Sequence, residues 1–511
     1  MTRRSGILLH PTSLPGKYGI GEIGSEAHKW LDSLAEMGQS LWQILPLGPT
    51  SYGDSPYQCL STFAGNPLLI SFDELEHEGF LTEEDLADFP EFDPTKIDFG
   101  PVIEARKAVL DLACEGFRLQ ASADSELAFD YAQFCERESD WLNDFALYGA
   151  IKDREGGLPW FEWPKPLAAR NPHALAQVEE DLVDEIANTK IIQFLFARQW
   201  QSLHEHAKQL GIQIIGDVPI FVAHDSADVW VRPDLFLLKE DGRPEVIAGV
   251  PPDYFNADGQ RWGNPLYDWD AHAKEGYAWW IARMRKTLES VDLVRVDHFR
   301  GFAGYWEVPA EDDTAINGRW VPGPGAPLFD KLIEEMGELP IIAEDLGEIT
   351  PDVFELRDHF NLPGMRVLQF AFGADSLADI YVPENYPPNS VAYTGTHDND
   401  TTVGYFGAGV GEGTTRTAEQ IEAERRTVLG YFGTDGSEIH WDFIGRVWQS
   451  AADTAICPLQ DLLGLDSSAR MNMPGNPIGN WSWRFTWDQI QSQTKERIRA
   501  LTESVGRLAN G

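Results

Sequence analysis

Eight short, continuous apolar runs recur along this chain, and each is followed by polar, glycine or proline residues. The runs occupy residues 6–10, 41–46, 212–217, 293–297, 341–344, 366–370, 391–394 and, less distinctly, 455–459. A continuous apolar run of this length is typical of a strand buried on both faces of a parallel sheet. Helical patterns separate the runs, and the last segment places Ile498, Leu501, Val505 and Leu508 at helical spacing. The alternation predicts an α/β fold, a (β/α)8 TIM barrel.

The spacing between the runs is uneven, which predicts insertions in the loops of the barrel. The chain has 511 residues, whereas such barrels range from about 200 to over 400 residues. We expect residues 1–511 to form a single catalytic barrel. Residues 66–210 are helix-rich and aromatic and are expected to form an inserted subdomain. Residues 219–290 are rich in Pro, Gly, Asp and aromatic side chains and are expected to form a second insertion covering the active site.

The charge balance narrows the class of partner. The chain carries 82 acidic and 40 basic residues, for a formal net charge of −42. Such a surface repels phosphate backbones and anionic lipid heads, so neither nucleic acid nor a membrane is an expected partner. A neutral substrate is compatible with this charge. Adaptation to high salt is an alternative source of the acidity that composition leaves open.

Cysteine usage and the N-terminal segment indicate a cytoplasmic protein. The four cysteines (Cys59, Cys114, Cys135 and Cys457) are scattered and contain no C-x-x-C pair, so neither a disulfide framework nor a zinc site is expected. The first residues lack the apolar core of a signal peptide. No stretch reaches about 18 uninterrupted apolar residues, so no membrane span is expected.

Four acidic residues lie at or just after the ends of predicted strands: Asp217, Asp297, Glu344 and Asp398. In a (β/α)8 barrel these strand ends converge on one face, so the four acids are expected to meet there. Arg295 precedes Asp297 by two residues, which places both side chains on the same face of a strand. A cation in that position favours an ionised Asp297.

Clustered carboxylates serve either to bind a metal or to transfer glycosyl groups. In retaining glycoside chemistry, one carboxylate attacks the anomeric carbon and a second protonates the leaving oxygen. Mutual repulsion raises the pKa of one of the two, which supplies the acid. A single acid at a strand end can equally be a helix cap or part of a turn, but four such positions together favour a catalytic cluster.

Beyond these acids, the sequence resembles the 4-α-glucanotransferases of the amylomaltase type, within the α-amylase clan. Arg295, Asp297 and His298, then Glu344, then His397, Asp398 and Asn399 look like the signature regions of that clan. The resemblance covers nearly the whole chain. The segments that carry it are 6–16, 42–50, 53–58, 63–67, 249–255, 260–265, 470–475 and 479–484.

The resemblance implies a separate role for each of three carboxylates. Asp297 matches the catalytic nucleophile, Glu344 the general acid/base, and Asp398 the carboxylate that binds substrate hydroxyls and stabilises an oxocarbenium-like transition state. Segment 253–260 matches a loop that folds over the bound glucan. The residues expected to bind or support the substrate are Ser55, Tyr57, Asp217, Asp253, Gln260, Trp262, Arg295, His298, His397 and Asn472.

The implied reaction transfers part of an α-1,4-glucan to the 4-hydroxyl of an acceptor, through a covalent glycosyl-enzyme. Expected partners are maltooligosaccharides, amylose or glycogen-type glucans, with glucose as an acceptor; no cofactor and no metal are expected. An α-glucan hydrolase on the same barrel shares the first half-reaction, and a non-catalytic glucan-binding protein would share the fold. The oligomeric state is not determined by the sequence.

Overall fold

Strands and helices alternate along the chain. The computed structural model describes residues 3–252, 258–347, 349–373, 378–409, 417–476 and 478–508. The strands among these residues are β1 (Arg4–Leu8), β2 (Leu41–Gln43), β3 (Gln213–Pro219), β4 (Val246–Val250), β5 (Gln260–Pro265), β6 (Leu293–Asp297), β7 (Gly304–Pro309), β8 (Arg319–Pro322), β9 (Ile341–Ala343), β10 (Gly364–Val367), β11 (Ser390–Tyr393) and β12 (Thr454–Pro458). The α-helices among them are α1 (Ser25–Glu36), α2 (Phe72–His77), α3 (Glu83–Ala87), α4 (Phe99–Ala123), α5 (Ser125–Arg137), α6 (Ser139–Arg154), α7 (Lys165–Ala168), α8 (Pro172–Asp181), α9 (Val183–Gln209), α10 (Ala227–Val231), α11 (Trp269–Lys274), α12 (Ala278–Ser290), α13 (Ala326–Met336), α14 (Pro351–His359), α15 (Thr402–Gly407), α16 (Ala418–Phe432), α17 (Ile439–Gln449), α18 (Leu459–Leu462) and α19 (Ser492–Ser504).

Eight of the strands in the described part of the chain close into a parallel barrel. Their order around the barrel is β1, β2, β3, β6, β9, β10, β11 and β12, and β12 pairs again with β1. Long helices pack on the outside, for example α9 against β3, α12 against β6 and α17 against β12. The strands are largely apolar because the helices and the barrel interior cover both faces. The predicted (β/α)8 barrel is confirmed.

The predicted runs locate the barrel strands, but some boundaries differ. The run at 293–297 coincides with β6, whereas the run at 366–370 is wrong as a strand beyond Val367. There the chain turns into a 3-10 helix, Leu368–Phe372, and the Gln369 side chain donates to the main-chain oxygen of Asp400 at 2.9 Å. An apolar run indicates burial, which a strand and a short helix both satisfy.

The long connection from β2 to β3 is helical. Helices α2 to α9 occupy it, and α4, α5 and α9 pack on one another. The rings of Phe117, Tyr131 and Phe194 meet there at centroid separations of 5.2–5.7 Å. Burial of these aromatic side chains gives the helices an apolar core of their own. The delimitation of residues 66–210 as an inserted subdomain stays a prediction.

A separate antiparallel sheet has the strand order β5-β4-β7-β8. The interval 219–290 contains β4 and β5, but β7 and β8 follow β6. The sheet therefore combines two loops, one after β3 and one after β6. Sequence patterns gave no sign of this pairing, because it joins segments that are distant along the chain. Asp253 and its neighbours up to residue 257 lie outside the described residues.

His204 and His206 lie on α9 and have different partners. His204 Nε2 lies 3.1 Å from Asp292 Oδ2, and His206 Nε2 lies 2.9 Å from Asp32 Oδ1. Within the described ranges, no group of three or more His, Cys, Asp or Glu side chains is arranged to hold a metal ion. Nor does any helix in these ranges combine the length and the apolar character needed to cross a membrane.

Candidate active site

Three carboxylates lie at or just after the carboxyl-terminal ends of three barrel strands. Asp297 is the last residue of β6, Glu344 directly follows β9, and Asp398 lies in the loop after β11. Parallel strands end on the same face of a barrel, so positions far apart in sequence meet there. The side chains of Asp297 and Asp398 are 27% and 40% exposed, whereas Glu344 is buried. A ligand on this face can therefore touch Asp297 and Asp398 directly.

Arg295 joins two of the acids. Its Nη1 donates to Asp217 Oδ2 at 2.5 Å, and its Nη2 donates to Asp297 Oδ1 at 2.8 Å. The geometry follows from the strands: Asp217 on β3 is the register partner of Arg295 on β6, and Asp297 lies two residues further along β6. The expected ion pair between Arg295 and Asp297 is confirmed. The pair places a positive charge against one oxygen of the Asp297 carboxylate.

Asp217 lies beneath this face. Its side chain is 0% exposed, and Oδ2 also accepts a hydrogen bond from the Tyr57 hydroxyl at 2.8 Å. Burial raises the pKa of Asp217 to about 7, although the charge of Arg295 acts in the opposite direction. The contacts of Asp217 orient Arg295 and Tyr57. The expectation that Asp217 also binds substrate stays a prediction.

Tyr57 and His397 form a hydrogen-bonded aromatic pair. Their rings stack at a centroid separation of 5.3 Å, and the Tyr57 hydroxyl lies 2.8 Å from His397 Nε2. Trp481 contacts both rings at 5.9 and 6.0 Å. Burial lowers the pKa of His397, so its ring is neutral. Because the single Tyr57 proton is donated to Asp217, we assign the Nε2–H tautomer to His397, which then donates to Tyr57.

The Glu344 carboxyl is held by main-chain amides. His298 N donates to Oε2 at 2.6 Å and Leu346 N donates to Oε1 at 2.8 Å. His298 adopts the left-handed conformation, with φ of 53°. Burial, followed by repulsion from Asp297, raises the pKa of Glu344 to about 8 despite these amides. Glu344 is therefore mainly protonated at neutral pH.

The segment that follows β12 fixes the Asp398 carboxylate. The Asn472 side-chain amide donates to Asp398 Oδ1 at 2.6 Å, and His397 Nε2 lies 3.4 Å from Oδ2. Arg470 Nη2 donates to the main-chain oxygen of Asp398 at 2.7 Å. Asn472 was predicted to bind substrate, and the structure places its amide on Asp398.

Trp262 and His298 meet at the edge of the site. Their rings contact edge-to-face at a centroid separation of 4.7 Å, and Trp262 Nε1 donates to Gln260 Oε1 at 3.1 Å. Trp262 and Gln260 belong to β5, whereas His298 directly follows β6. The antiparallel sheet is thus anchored beside Glu344. Ser55 Oγ accepts a hydrogen bond from the main-chain nitrogen of Tyr57 at 3.2 Å, and Ser55 has no recorded contact with the three carboxylates in the described ranges.

Comparison with known proteins agrees with this geometry. The family model described as 4-alpha-glucanotransferase matches residues 9–490. The 4-alpha-glucanotransferase of Thermus thermophilus is 49% identical, over 99% of this chain and 100% of that protein. The chloroplastic/amyloplastic 4-alpha-glucanotransferase of Solanum tuberosum is 43% identical, over 99% of this chain and 87% of that protein. The chain belongs to the 4-alpha-glucanotransferase family.

Solved structures of amylomaltases share the fold. The Streptococcus agalactiae amylomaltase, solved in complex with acarbose, superposes with a TM-score of 0.93 at 39% identity, over 99% of this chain and 100% of that one. The Corynebacterium glutamicum amylomaltase has a TM-score of 0.77 at 20% identity, covering 99% of this chain and 75% of that one, and shows the fold alone. The resemblance identified from the sequence, and the transferase activity it implied, are confirmed.

Sequence reasoning missed several contacts in this 4-alpha-glucanotransferase. Arg470 lies in a segment that carried the resemblance, but spacing does not reveal that its target is a main-chain oxygen 72 residues away. Trp481 has a positive φ of 62°. It lies in segment 479–484, which carries the resemblance, but it was not predicted as a site residue. A non-glycine residue in that conformation is a signal of a special position, but it is visible only in the backbone. The main-chain amides of His298 and Leu346 donate to Glu344. Residue types do not predict these contacts, because every residue except proline has such an amide.

Proposed function

We propose that this 4-alpha-glucanotransferase acts by two successive displacements at the anomeric carbon, with retention of configuration. The observation that carries the proposal is the contrast between two neighbouring acids. Asp297 is paired with a permanently charged Arg295 at 2.8 Å, whereas burial and the nearby Asp297 raise the pKa of Glu344 to about 8. An anionic carboxylate beside a protonated one supplies the nucleophile and the acid of a retaining mechanism.

In the first displacement, a carboxylate oxygen of Asp297 bonds to C1 of the donor sugar as the bond from C1 to the glycosidic oxygen breaks. Glu344 gives its proton to that departing oxygen, and the reducing-end part of the donor leaves. Positive charge develops on the sugar ring in the transition state. Asp398, 40% exposed and hydrogen-bonded by Asn472, is proposed to bind ring hydroxyls and to stabilise this charge.

In the second displacement, the 4-hydroxyl of an acceptor glucan or of glucose attacks C1. The ester bond to Asp297 breaks, and the hydroxyl proton returns to Glu344, which acts as the base. Water competes with the acceptor, so the site has to exclude it. Trp262 contacts His298, so one strand of the antiparallel sheet lies beside Glu344. In this position the sheet would help to keep water away from the glycosyl-enzyme.

The remaining site residues are proposed to contact or orient the glucan. The stacked rings of Tyr57 and His397 offer an aromatic surface and polar edges to a pyranose. Proposed donors are maltooligosaccharides, amylose or glycogen-type glucans, consistent with the acarbose complex of the S. agalactiae amylomaltase. The expected cytoplasmic location stays a prediction. The additional predicted contacts are Ser55, Asp217, Asp253, Gln260, Trp262, Arg295, His298 and Asn472.

Incubation with maltotriose tests the transfer reaction. Transfer yields glucose together with a ladder of longer maltooligosaccharides. An α-glucan hydrolase would yield shorter sugars alone, and that product pattern would refute the transferase reading.

Asp297→Asn tests the catalytic assignment. We expect turnover of maltotriose to fall by at least about 10³-fold while glucan binding is retained, because the amide cannot form the glycosyl ester. The matched control is Asp313→Asn, which neutralises an exposed aspartate after β7 and should leave turnover unchanged. Equal activity of Asp297→Asn and wild type would refute the assignment of Asp297 as the nucleophile.

A further inference from the structure

Arg470 donates hydrogen bonds to two main-chain carbonyl groups beside the active site. Its Nη2 donates to the main-chain oxygen of Asp398 at 2.7 Å, and its Nε donates to the main-chain oxygen of Asn472 at 2.7 Å. The two acceptors lie on different segments, the loop after β11 and the segment after β12. Burial of the guanidinium lowers the pKa of Arg470, and the charges of Asp400 and Asp398 act in the opposite direction.

The same two segments are joined by two further hydrogen bonds. Asn472 N donates to the main-chain oxygen of His397 at 3.1 Å, and the Asn472 side-chain amide donates to Asp398 Oδ1 at 2.6 Å. Four hydrogen bonds thus surround Asp398, and Arg470 makes two of them. Asn472 reaches the carboxylate only while its own main chain is held in this position.

Asp398 depends on such support because it lies in a loop. The loop is anchored at both ends by the buried Asp461, which accepts hydrogen bonds from Thr394 at 2.5 Å and from Thr402 at 2.6 and 2.8 Å. Between these anchors, Asp398 is partly exposed together with Asn399 and Asp400, and 40% of its side chain is accessible. A catalytic carboxylate displaced by about 1 Å can lose about 10²-fold in rate. The hydrogen bond from Arg470 to the main-chain oxygen of Asp398 can therefore affect the rate of the reaction.

We propose that Arg470 is a positioning residue for the glucanotransferase reaction, acting through Asp398. It holds the carbonyl groups of Asp398 and Asn472 so that the Asn472 amide stays on the Asp398 carboxylate. Among the described residues, the side-chain hydrogen bonds of Arg470 go to main-chain oxygens, so the effect of Arg470 on a bound glucan is indirect. The inference rests on the proposed role of Asp398.

A double-mutant cycle tests the proposal. Transfer from α-maltosyl fluoride to glucose is measured for wild type, Arg470→Ala, Asp398→Asn and the double variant. Fluoride leaves without a proton, so the first displacement with this donor does not need Glu344 as an acid and reports on the step that Asp398 assists, whereas the second displacement still uses Glu344 as the base. We expect Arg470→Ala to lower kcat about 10- to 100-fold in the wild-type background, with a smaller change in KM. In the Asp398→Asn background, we expect it to change kcat by less than about twofold.

Arg484 provides the matched control. It is a buried arginine that also donates to main-chain oxygens, those of Leu14 and Gly16, and it contacts none of the three carboxylates in the described ranges. Arg484→Ala should lower the melting temperature yet keep kcat per folded molecule. Arg470→Lys keeps the positive charge and one donating nitrogen in place of the two that Arg470 uses, so it should recover part of the rate. This variant also tests the proposal if Arg470→Ala does not fold.

Independent, multiplicative losses of Arg470→Ala and Asp398→Asn would overturn the proposal, as would an unchanged kcat in Arg470→Ala. The product ladder of the wild-type enzyme separates this result from a failure of the proposed function. A wild type that makes the ladder while Arg470→Ala keeps full kcat refutes only the role of Arg470.

Discussion

Glu344→Gln replaces the proposed acid with a group of the same shape that cannot release a proton. In the structure, both carboxyl oxygens accept main-chain amides, from His298 at 2.6 Å and from Leu346 at 2.8 Å. The glutamine amide can satisfy only one of these donors. We expect turnover of maltotriose to fall about 10²- to 10⁴-fold, the usual contribution of general acid catalysis.

The pH dependence follows from the raised pKa. With a pKa of about 8 for Glu344, about nine-tenths of the enzyme carries the proton at pH 7 and about one-tenth at pH 9. The kcat/KM of wild type for maltotriose should therefore fall about tenfold between these values. Burial lowers the pKa of His397 and raises that of Tyr57 well above its ordinary value, so neither group accounts for a basic limb. Asp217, with a pKa of about 7, becomes more fully ionised over this range, which strengthens its pair with Arg295 and does not lower the rate.

The same shift has a consequence for stability. The carboxyl of Glu344 has an ordinary pKa near 4.5, and burial raises it in the folded protein. Its neutral form therefore favours the folded state at low pH, and this stability is lost as pH rises from about 4.5 through about 8. Glu344→Gln removes this dependence, at the cost of about 1 kcal/mol for one unpaired amide. The variant should thus gain stability over wild type by up to about 4 kcal/mol between pH 5 and 8.

Two assays check this prediction. Initial rates with maltotriose and with α-maltosyl fluoride are measured from pH 5 to 9.5, and urea unfolding is followed at the two ends of that range. The basic limb near pH 8 should be present for maltotriose and absent when fluoride is the leaving group, and Glu344→Gln should retain donor cleavage with the fluoride. A maltotriose profile with no basic limb below pH 9, or a limb that survives in Glu344→Gln, would refute the assignment of Glu344.

Three further predictions concern Asp217, Arg507 and the net charge of the protein. Asp217→Asn should lower kcat for maltotriose about 10- to 100-fold, because Arg295 loses its charged partner at 2.5 Å; an unchanged kcat would contradict the positioning role. Arg507→Met should lower the free energy of unfolding in urea by at least about 3 kcal/mol, since this buried side chain donates to five main-chain oxygens, and the kcat of folded enzyme should stay as in wild type. Raising NaCl from 0.05 to 1 M should raise the melting temperature, because salt screens the repulsion within a net charge of −42; a flat or falling melting temperature would contradict this reasoning.

Much of the barrel could be read from the sequence because its signals are local. An apolar run of four or five residues indicates a buried segment, and eight of them in alternation with helices leave few folds available. The position of Arg295 two residues before Asp297 likewise required a common face. The ion pair at 2.8 Å is a direct consequence of that spacing.

Other features of the site come from contacts between distant segments. The antiparallel sheet joins β4 and β5 to β7 and β8, across the barrel strand β6 that lies between them in sequence. Asn472 and Asp398 are 74 residues apart. No local pattern specifies which distant polar groups will meet, because that depends on how the loops close over the barrel.

The sequence by itself determined the barrel, the acids at its strand ends, and the pairing of Arg295 with Asp297. Only the tertiary structure showed why Glu344 carries a proton. Glu344 and Asp297 have the same kind of side chain and occupy similar positions at strand ends. Burial and the neighbouring charge raise the pKa of Glu344, while Arg295 pairs with Asp297. Desolvation and charge proximity are properties of three-dimensional surroundings, so the physical basis of the roles that the resemblance implied for the two carboxylates appears only when the chain has folded.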